Sequence, residues 1–309
     1  GQIEAEDGTG VNPIMQRSKL SWENALYISN EFKATDRLSF IYGVRGTGFS
    51  LLGNGGEYYS FNQDGSLENT KVHEKNKFIT SYFNLEPRLN ASYVYSKSAS
   101  VKGGYARNVQ NVHLVANSTG DNPTDIWIPS SNNIKPELSD IVSLGWFKNF
   151  KKNKYEFSAE TYYKISQRQI DYRDGANTLA NNLLEGELLY GDGRAYGLEL
   201  YLKKVSGKFS GWISYTLSKT ERQIDGINNS EWYNARQDRT HDLSLVGIYD
   251  ITKKLSVSAT FVYYTGNAIT LPSGKYYVDN QVQWLYTERN GGRMPEYHRL
   301  DVGVTWIRK

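Results

Sequence analysis

Residues 154–170, KYEFSAETYYKISQRQI, put Tyr155, Phe157, Ala159, Thr161, Tyr163 and Ile165 on one parity and Glu156, Ser158, Glu160, Lys164, Ser166 and Arg168 on the other. A period of two is that of an extended strand, whose successive side chains leave on opposite faces. One face is oily and the other ionic. The pattern recurs in KLSWENALYISNEF (19–32), NLEPRLNASYVY (84–95), YGLELYLKK (196–204), KFSGWISYTLSKT (208–220), LSVSATFVYY (255–264) and RLDVGVTW (299–306). About eleven such segments follow one another, many near twelve to eighteen residues long. Composition agrees: Tyr is 24 of 309 residues while Met is 2 and Pro is 7, which favours pleated sheet.

The connections are lopsided. Those near 34–37, 96–99, 151–154, 206–208 and 251–254 are short and polar, and those near 53–77, 114–139, 173–194, 222–239 and 266–297 are long. Because short and long alternate, antiparallel strands put every tight turn at one end of the sheet and every long loop at the other. A soluble sandwich would show shorter strands with turn signals every eight to twelve residues. Strands of about fifteen residues instead exceed the nine to eleven that cross a bilayer at a tilt. The expected fold is an antiparallel transmembrane β-barrel with its oily face on lipid. Trp22, Tyr42, Tyr93, Tyr263 and Trp306, near strand ends, suit interfacial girdles. An odd strand count leaves an edge that lipid cannot satisfy, so the chain is expected to be part of a barrel.

Several classes drop out. The net charge of +3 is small against 36 basic and 33 acidic residues, and no basic block suggests nucleic acid. The lack of cysteine excludes disulfides and thiolate chemistry. No apolar run reaches the length of a transmembrane helix. Residues 1–16, GQIEAEDGTGVNPIMQ, have neither a basic nor an apolar leader region; either a signal peptide has been removed or the chain starts partway through a larger protein.

NIKPELSDIVSLGW (133–146), YGLELYLKK (196–204), RTHDLSLVGIYDITKKLSVSATFVYYTG (239–266), RMPEYHRLDVGVTW (293–306) and EPRLNASYVYSKSASVKGGYARNVQ (86–110) together resemble the latter part of the barrel of TonB-dependent outer-membrane receptors of the Bacteroidetes type. MPEYHRLD is more similar to the subgroup with a carboxypeptidase regulatory domain than to SusC-like glycan importers. The resemblance implies a 22-stranded barrel around an N-terminal plug that imports iron chelates, vitamins, glycans or peptides with energy relayed by TonB. TonB, outer-membrane lipids and a small nutrient are the implied partners, with room for a surface lipoprotein. Residues 1–309 then form a single partial barrel segment; the plug, the TonB box and the last strands of the family pattern are not found in it.

Catalysis finds little support, and the chain is not expected to be an enzyme. His73, His113, His241 and His298 lack ligand spacing, so no metal or cofactor is expected. His241 and Asp242 adjoin but, as strand neighbours, face opposite ways. Glu156 and Glu160 share a face at about 13 Å, too far apart for a glycosidase pair. GTGFSLLGNGG (46–56) reads as a strand entering a loop, since no helix follows to cradle phosphate, and NQDGS (62–66) reads as a turn. The candidate ligand contacts are loop residues offering stacking faces and charge: Trp127, Trp232, Tyr233, Arg236, Tyr276, Tyr277 and Trp284, with Arg239 and Arg289 nearby. Arg45, Glu86, Arg88, Glu160, Lys164 and Arg168 are the candidate lumen residues, which in the family's architecture would meet a plug. A passive porin or a loop-displaying adhesin is the competing reading. An outer-membrane hydrolase would require a histidine and a carboxylate to converge at the rim.

Overall fold

A computed structural model of the protein describes residues 18–115, 126–176, 178, 181–278 and 281–308. Residues 1–16, read above for a leader, lie outside this set. Eleven long strands form one antiparallel sheet in strict sequence order. They are β1 (Leu20–Lys33), β2 (Leu38–Leu52), β3 (Phe78–Ser96), β4 (Ala99–Gln110), β5 (Glu137–Phe150), β6 (Tyr155–Tyr172), β7 (Leu188–Lys204), β8 (Phe209–Ile224), β9 (His241–Asp250), β10 (Leu255–Tyr264) and β11 (Tyr297–Trp306). A two-residue strand, Tyr233–Asn234, adds to β8 as a twelfth member. Among the described residues, β1 and β11 are each paired on one side only.

The register tests which face meets what. From β4 to β8 the outward parity carries Val101, Trp146, Ala159, Leu200 and Tyr215 in one hydrogen-bonded row, continuing through Leu243, Tyr263 and His298. On β6 this parity stays uncharged from Tyr155 to Ile165, and on β7 from Leu202 to Tyr196, where Arg194 ends the run. Ten residues at about 3.3 Å each, tilted about 40°, span about 25 Å, the height of a bilayer-facing band. Arg107, Asp140, Arg194 and Lys219 mark its upper limit, and Lys148 and Lys204 its base, so no charge rings the exterior at mid-height of these strands. Leu26, Ile28, Val304 and Trp306, on the same parity, are 84%, 71%, 68% and 71% exposed, a density of bare apolar surface foreign to soluble monomers. The girdle candidates Trp22, Tyr42, Tyr93, Tyr263 and Trp306 all fall on this parity too. Among the described residues no second sheet stacks on it, and Ile213 remains 46% exposed. Among the described residues no helix is long and apolar enough to cross a membrane, which leaves crossing by strands open.

The opposite parity is a polar ladder. Arg45 pairs with Glu86 at 3.5 Å, Arg88 donates to Asn108 at 3.1 Å, Lys102 lies over the Phe147 ring, and Arg299 pairs with Asp301 at 2.8 Å. Glu160 and Lys164 stand on this face of β6. Arg168 does not share in the alternation that predicted it there: it occupies a bulge between Gln167 and Gln169 with φ 64°, is exposed, and donates to the Pro136 carbonyl. The extra residue is unpaired, which shifts the phase of everything above it.

The buried apolar clusters gather at the long-loop end, where the strand ends Ile170, Tyr172, Leu188 and Ile224 meet loop residues. Val115, Ile128, Ile134, Ile170, Tyr172, Leu184 and Leu188 form one, and Ile224, Ile227 and Tyr233 another. The described parts of the long connections are therefore folded. They contain hairpins Glu57–Phe61 with Leu67–Val72, Val112–Val115 with Ile126–Pro129, and Gly274–Val278 with Gln281–Leu285. Strands also extend further into the loops than expected: β5 begins at Glu137, β7 at Leu188, and β8 ends at Ile224.

Candidate functional site

The first three long connections meet around an open cleft of about 1030 Å³ at the long-loop end. Its walls come from Lys19 just before β1, from Asn54, Tyr58 and Tyr59, from Trp127 and Asn132, and from the turn carrying Asn181 and Glu185. No single sequence segment supplies more than a part of it.

Local chemistry fixes each wall. The NQDGS turn closes the first hairpin: the Asn62 amide N–H donates to the Ser66 carbonyl at 2.9 Å, and the Asp64 carboxylate accepts from the Ser66 N–H and hydroxyl. Those hydrogen bonds hold the exposed Asp64 carboxyl below its ordinary pKa. Gly65 sits there at φ +82°, a backbone state that suits glycine, and an added Cβ would strike the Arg173 guanidinium and the Gly186 carbonyl. Burial is the main cause that lifts the Tyr58 phenol above its usual range; its hydroxyl donates to the Leu52 carbonyl, and its ring meets His73 edge-on at 5.5 Å.

Glu185 is the hub that joins the connections. Its Oε2 accepts from the Ser131 hydroxyl and the Asn133 amide, each at 2.6 Å, and its Oε1 pairs with Lys19. Asn133 also donates to the Tyr59 carbonyl at 2.9 Å, and Asn132 to the Ser60 hydroxyl at 3.0 Å. Arg173 donates to the carbonyls of Asp64 and Gly186 and pairs with Glu187 at 3.5 Å. The cleft is thus bounded by side chains that are already hydrogen-bonded, with Trp127 left 65% exposed on its wall.

Below the rim a smaller cavity of about 230 Å³ opens on the polar face of β4 to β8, lined by Gln110, Glu137, Lys164, Gln169 and Arg222 and roofed by His113. His113 is buried, with Nε2 at 3.1 Å from the Ser130 hydroxyl; burial lowers its pKa to about 4.

Trp127 is the one predicted ligand contact that lines the cleft. Trp232 lies under the Arg194 guanidinium at 4.1 Å. Tyr233 is buried and donates to Asp171 at 3.0 Å, and burial together with that carboxylate raises its pKa. Arg236 is exposed in the connection after β8. Tyr276, Tyr277 and Trp284 stand 52%, 67% and 54% exposed on the hairpin after β10, apart from the cleft. Arg239 stacks on Tyr264, and Arg289 is 4% exposed, donating to Asp171 at 2.9 Å and to the Tyr172 carbonyl at 2.7 Å. Missing from the sequence-based set were Asn54, Tyr58, Tyr59, Asn132 and Glu185; repeated Asn in each long connection was the available signal. His241 meets the Tyr215 hydroxyl at 2.8 Å, not Asp242, and among the described residues no three His, Asp or Glu side chains gather as a metal site.

The family model for the TonB dependent receptor-like β-barrel matches residues 4–308. The chain belongs to the TonB-dependent receptor family. Solved receptor structures share its fold at low identity. The ferripyoverdine receptor of the outer membrane of Pseudomonas aeruginosa is 14% identical, with TM-score 0.60 over 95% of this chain and 33% of that one. The FrpB iron transporter from Neisseria meningitidis is 12% identical, with TM-score 0.58 over 93% and 38%. The siderophore receptor PiuA from Acinetobacter baumannii is 17% identical, with TM-score 0.56 over 93% and 37%. The chain thus spans between a third and two fifths of the length of these structures. Curated proteins yielded no match. Like the barrels of its family, this TonB-dependent receptor barrel resides in the outer membrane.

Proposed function

We propose that this receptor barrel serves an importer that captures a small, scarce nutrient in the rim cleft and passes it through a plugged lumen with energy from TonB. The observation that carries the reading is the cleft itself: a concave site of ligand size, held open by a hydrogen-bonded hub at Glu185, at the end of the barrel where long loops face the exterior. Open strand edges in lipid leave backbone groups unsatisfied, so β1 and β11 call for neighbours in a larger closed barrel. We assign the chain to one segment of a barrel of about 22 strands, the expected family count, with the plug elsewhere in the full-length receptor. The interior residues Arg45, Glu86, Arg88, Glu160 and Lys164 would face that plug, and Arg168 would stand near its upper edge. The ligands named for the related structures, ferripyoverdine, iron and siderophores, make a metal chelate the first class to test. A surface lipoprotein, where present, would meet the exposed hairpin that bears Tyr276, Tyr277 and Trp284.

Uptake by cells producing the full-length receptor tests this. Ferric pyoverdine and a ferric catecholate, supplied under iron restriction, should enter by a saturable route that is lost without TonB. Trp127→Ala should raise the half-saturating concentration several-fold while the amount of receptor stays constant. Uptake that is linear in concentration and indifferent to TonB would identify a passive pore instead.

A further inference from the structure

The short-turn end of the barrel carries a charge that neither the fold nor import requires. Arg37, Lys97, Lys151, Lys152, Lys154, Lys208, Lys253 and Lys254 fall in the five tight turns, against one carboxylate, Asp36. All eight cations are exposed. The turns therefore hold a surplus of seven positive charges in a chain whose net charge is +3, and the rest of the molecule is net negative.

The turn between β5 and β6 shows that this is no by-product of turn chemistry. Lys151, Lys152 and Asn153 adopt φ of 49°, 58° and 63°, left-handed states that glycine or asparagine occupy most readily. Lysine at two of them works against the backbone, so its side chain has another use. The surroundings indicate which. Lys148 and Lys204, on the outward parity, lie over the Phe150 and Phe209 rings at 5.9 and 5.2 Å, and Lys151 lies 5.7 Å from the Tyr155 ring. Aromatic rings at the margin of an apolar band with cations just beyond it make up the arrangement that meets lipid headgroups.

We propose that this basic ring binds anionic phospholipid headgroups, with lysines on the tight turns gathering phosphates of the leaflet that borders the short-turn end. Charge complementarity carries the choice of partner. Each lysine near an anionic surface contributes an attraction that decays within a Debye length, about 10 Å in 0.1 M salt, and the turns lie at the end of the apolar band. The proposal is independent of the imported ligand and of TonB.

Full-length receptor in a neutral detergent is titrated with phosphatidylglycerol and with phosphatidylcholine of the same acyl chains, and retained lipids are counted by native mass spectrometry. Phosphatidylglycerol should be preferred at least tenfold at 50 mM salt, with the preference largely gone at 500 mM. Lys151→Gln, Lys152→Gln and Lys154→Gln together should cut it at least fivefold. The matched change of Lys71, Lys75 and Lys77, in the first long loop, should leave it intact. Equal retention of the two lipids, or an equal loss from both triple variants, overturns the proposal. So does tighter binding of a poly-glutamate peptide than of phosphatidylglycerol, which would assign the ring to an acidic protein. If the turn variant fails to fold, Lys152→Gln alone and the salt dependence of the unaltered receptor decide the matter.

Discussion

Leu200 and Glu199 are chain neighbours, and the lipid-facing assignment predicts opposite outcomes for the same substitution. Leu200 lies between Ala159 and Tyr215 on the outward parity, four residues above Lys204 at the base of the band and six below Arg194 at its top. With a rise of about 3.3 Å and a tilt of about 40°, it stands about 10 Å into a band about 25 Å high, close to the midplane. Leu200→Arg should therefore destabilise the barrel by about 2–4 kcal/mol, roughly 30- to 900-fold in the folding equilibrium. Glu199 faces inward, directly opposite Glu160. Glu199→Arg replaces two facing carboxylates with an opposite-charge pair, so it should be neutral or stabilising by a few tenths of a kcal/mol. Denaturant titration of the full-length receptor in phosphocholine vesicles, followed by tryptophan fluorescence, reads both. Equal destabilisation, or a greater cost at Glu199, would refute the assignment of faces and with it the transmembrane barrel.

Three other perturbations follow from the rim. Arg289→Ala leaves Asp171 buried with the Tyr233 hydroxyl, the Tyr172 amide and Arg222, 3.7 Å away, but without its close cation, so local stability of the 265–296 connection should fall by about 3 kcal/mol; unchanged hydrogen exchange there would contradict it. His113 has its pKa depressed from 6.5 to about 4, so the folded state resists the proton that the unfolded chain accepts. Its contribution is complete above pH 6.5 and is lost progressively as pH falls toward 4, up to about 3 kcal/mol. Exchange at Ile126–Pro129 should accelerate over that range in the native protein, and His113→Gln should remove the dependence. Gly65→Ala, at φ +82° against Arg173, should cost about 1–2 kcal/mol and expose the first hairpin to protease, whereas a silent substitution would show that the first and third connections are not joined there.

What could be read in advance follows from where side chains repeat. Strands were legible because lipid and an enclosed interior impose opposite demands on alternate residues, as Tyr155 to Ile165 show. Loop lengths then gave the two ends. Arg168 was misplaced because Ser166, Gln167, Arg168 and Gln169 are all polar, and a one-residue slip leaves no mark where there is no apolar comb to interrupt. The cleft was illegible for a different reason: Lys19, Asn133 and Glu185 meet through long-range hydrogen bonds between separate connections, and no local spacing encodes such a meeting. Aromatic content alone did not locate the cleft, which Trp127 lines and the other candidate aromatics do not. Tyr233 and Trp232 are consumed in packing against Asp171 and Arg194.

The rim also bears on how capture would work. Ordering a loop on binding costs conformational entropy, and that cost is removed when the loop is already fixed. Around the cleft the fixing is extensive: Glu185 ties Ser131, Asn133 and Lys19 together, Tyr82 donates to the Ser131 carbonyl at 2.6 Å, and the Ile134 cluster packs beneath. The hairpin bearing Tyr276, Tyr277 and Trp284 stands apart from the cleft, with those rings exposed and its base held through Ser273 and Leu285. On the proposed reading, a ligand entering the cleft would meet described side chains that are already hydrogen-bonded, so its affinity would depend on what Trp127 and the Asn side chains contact directly.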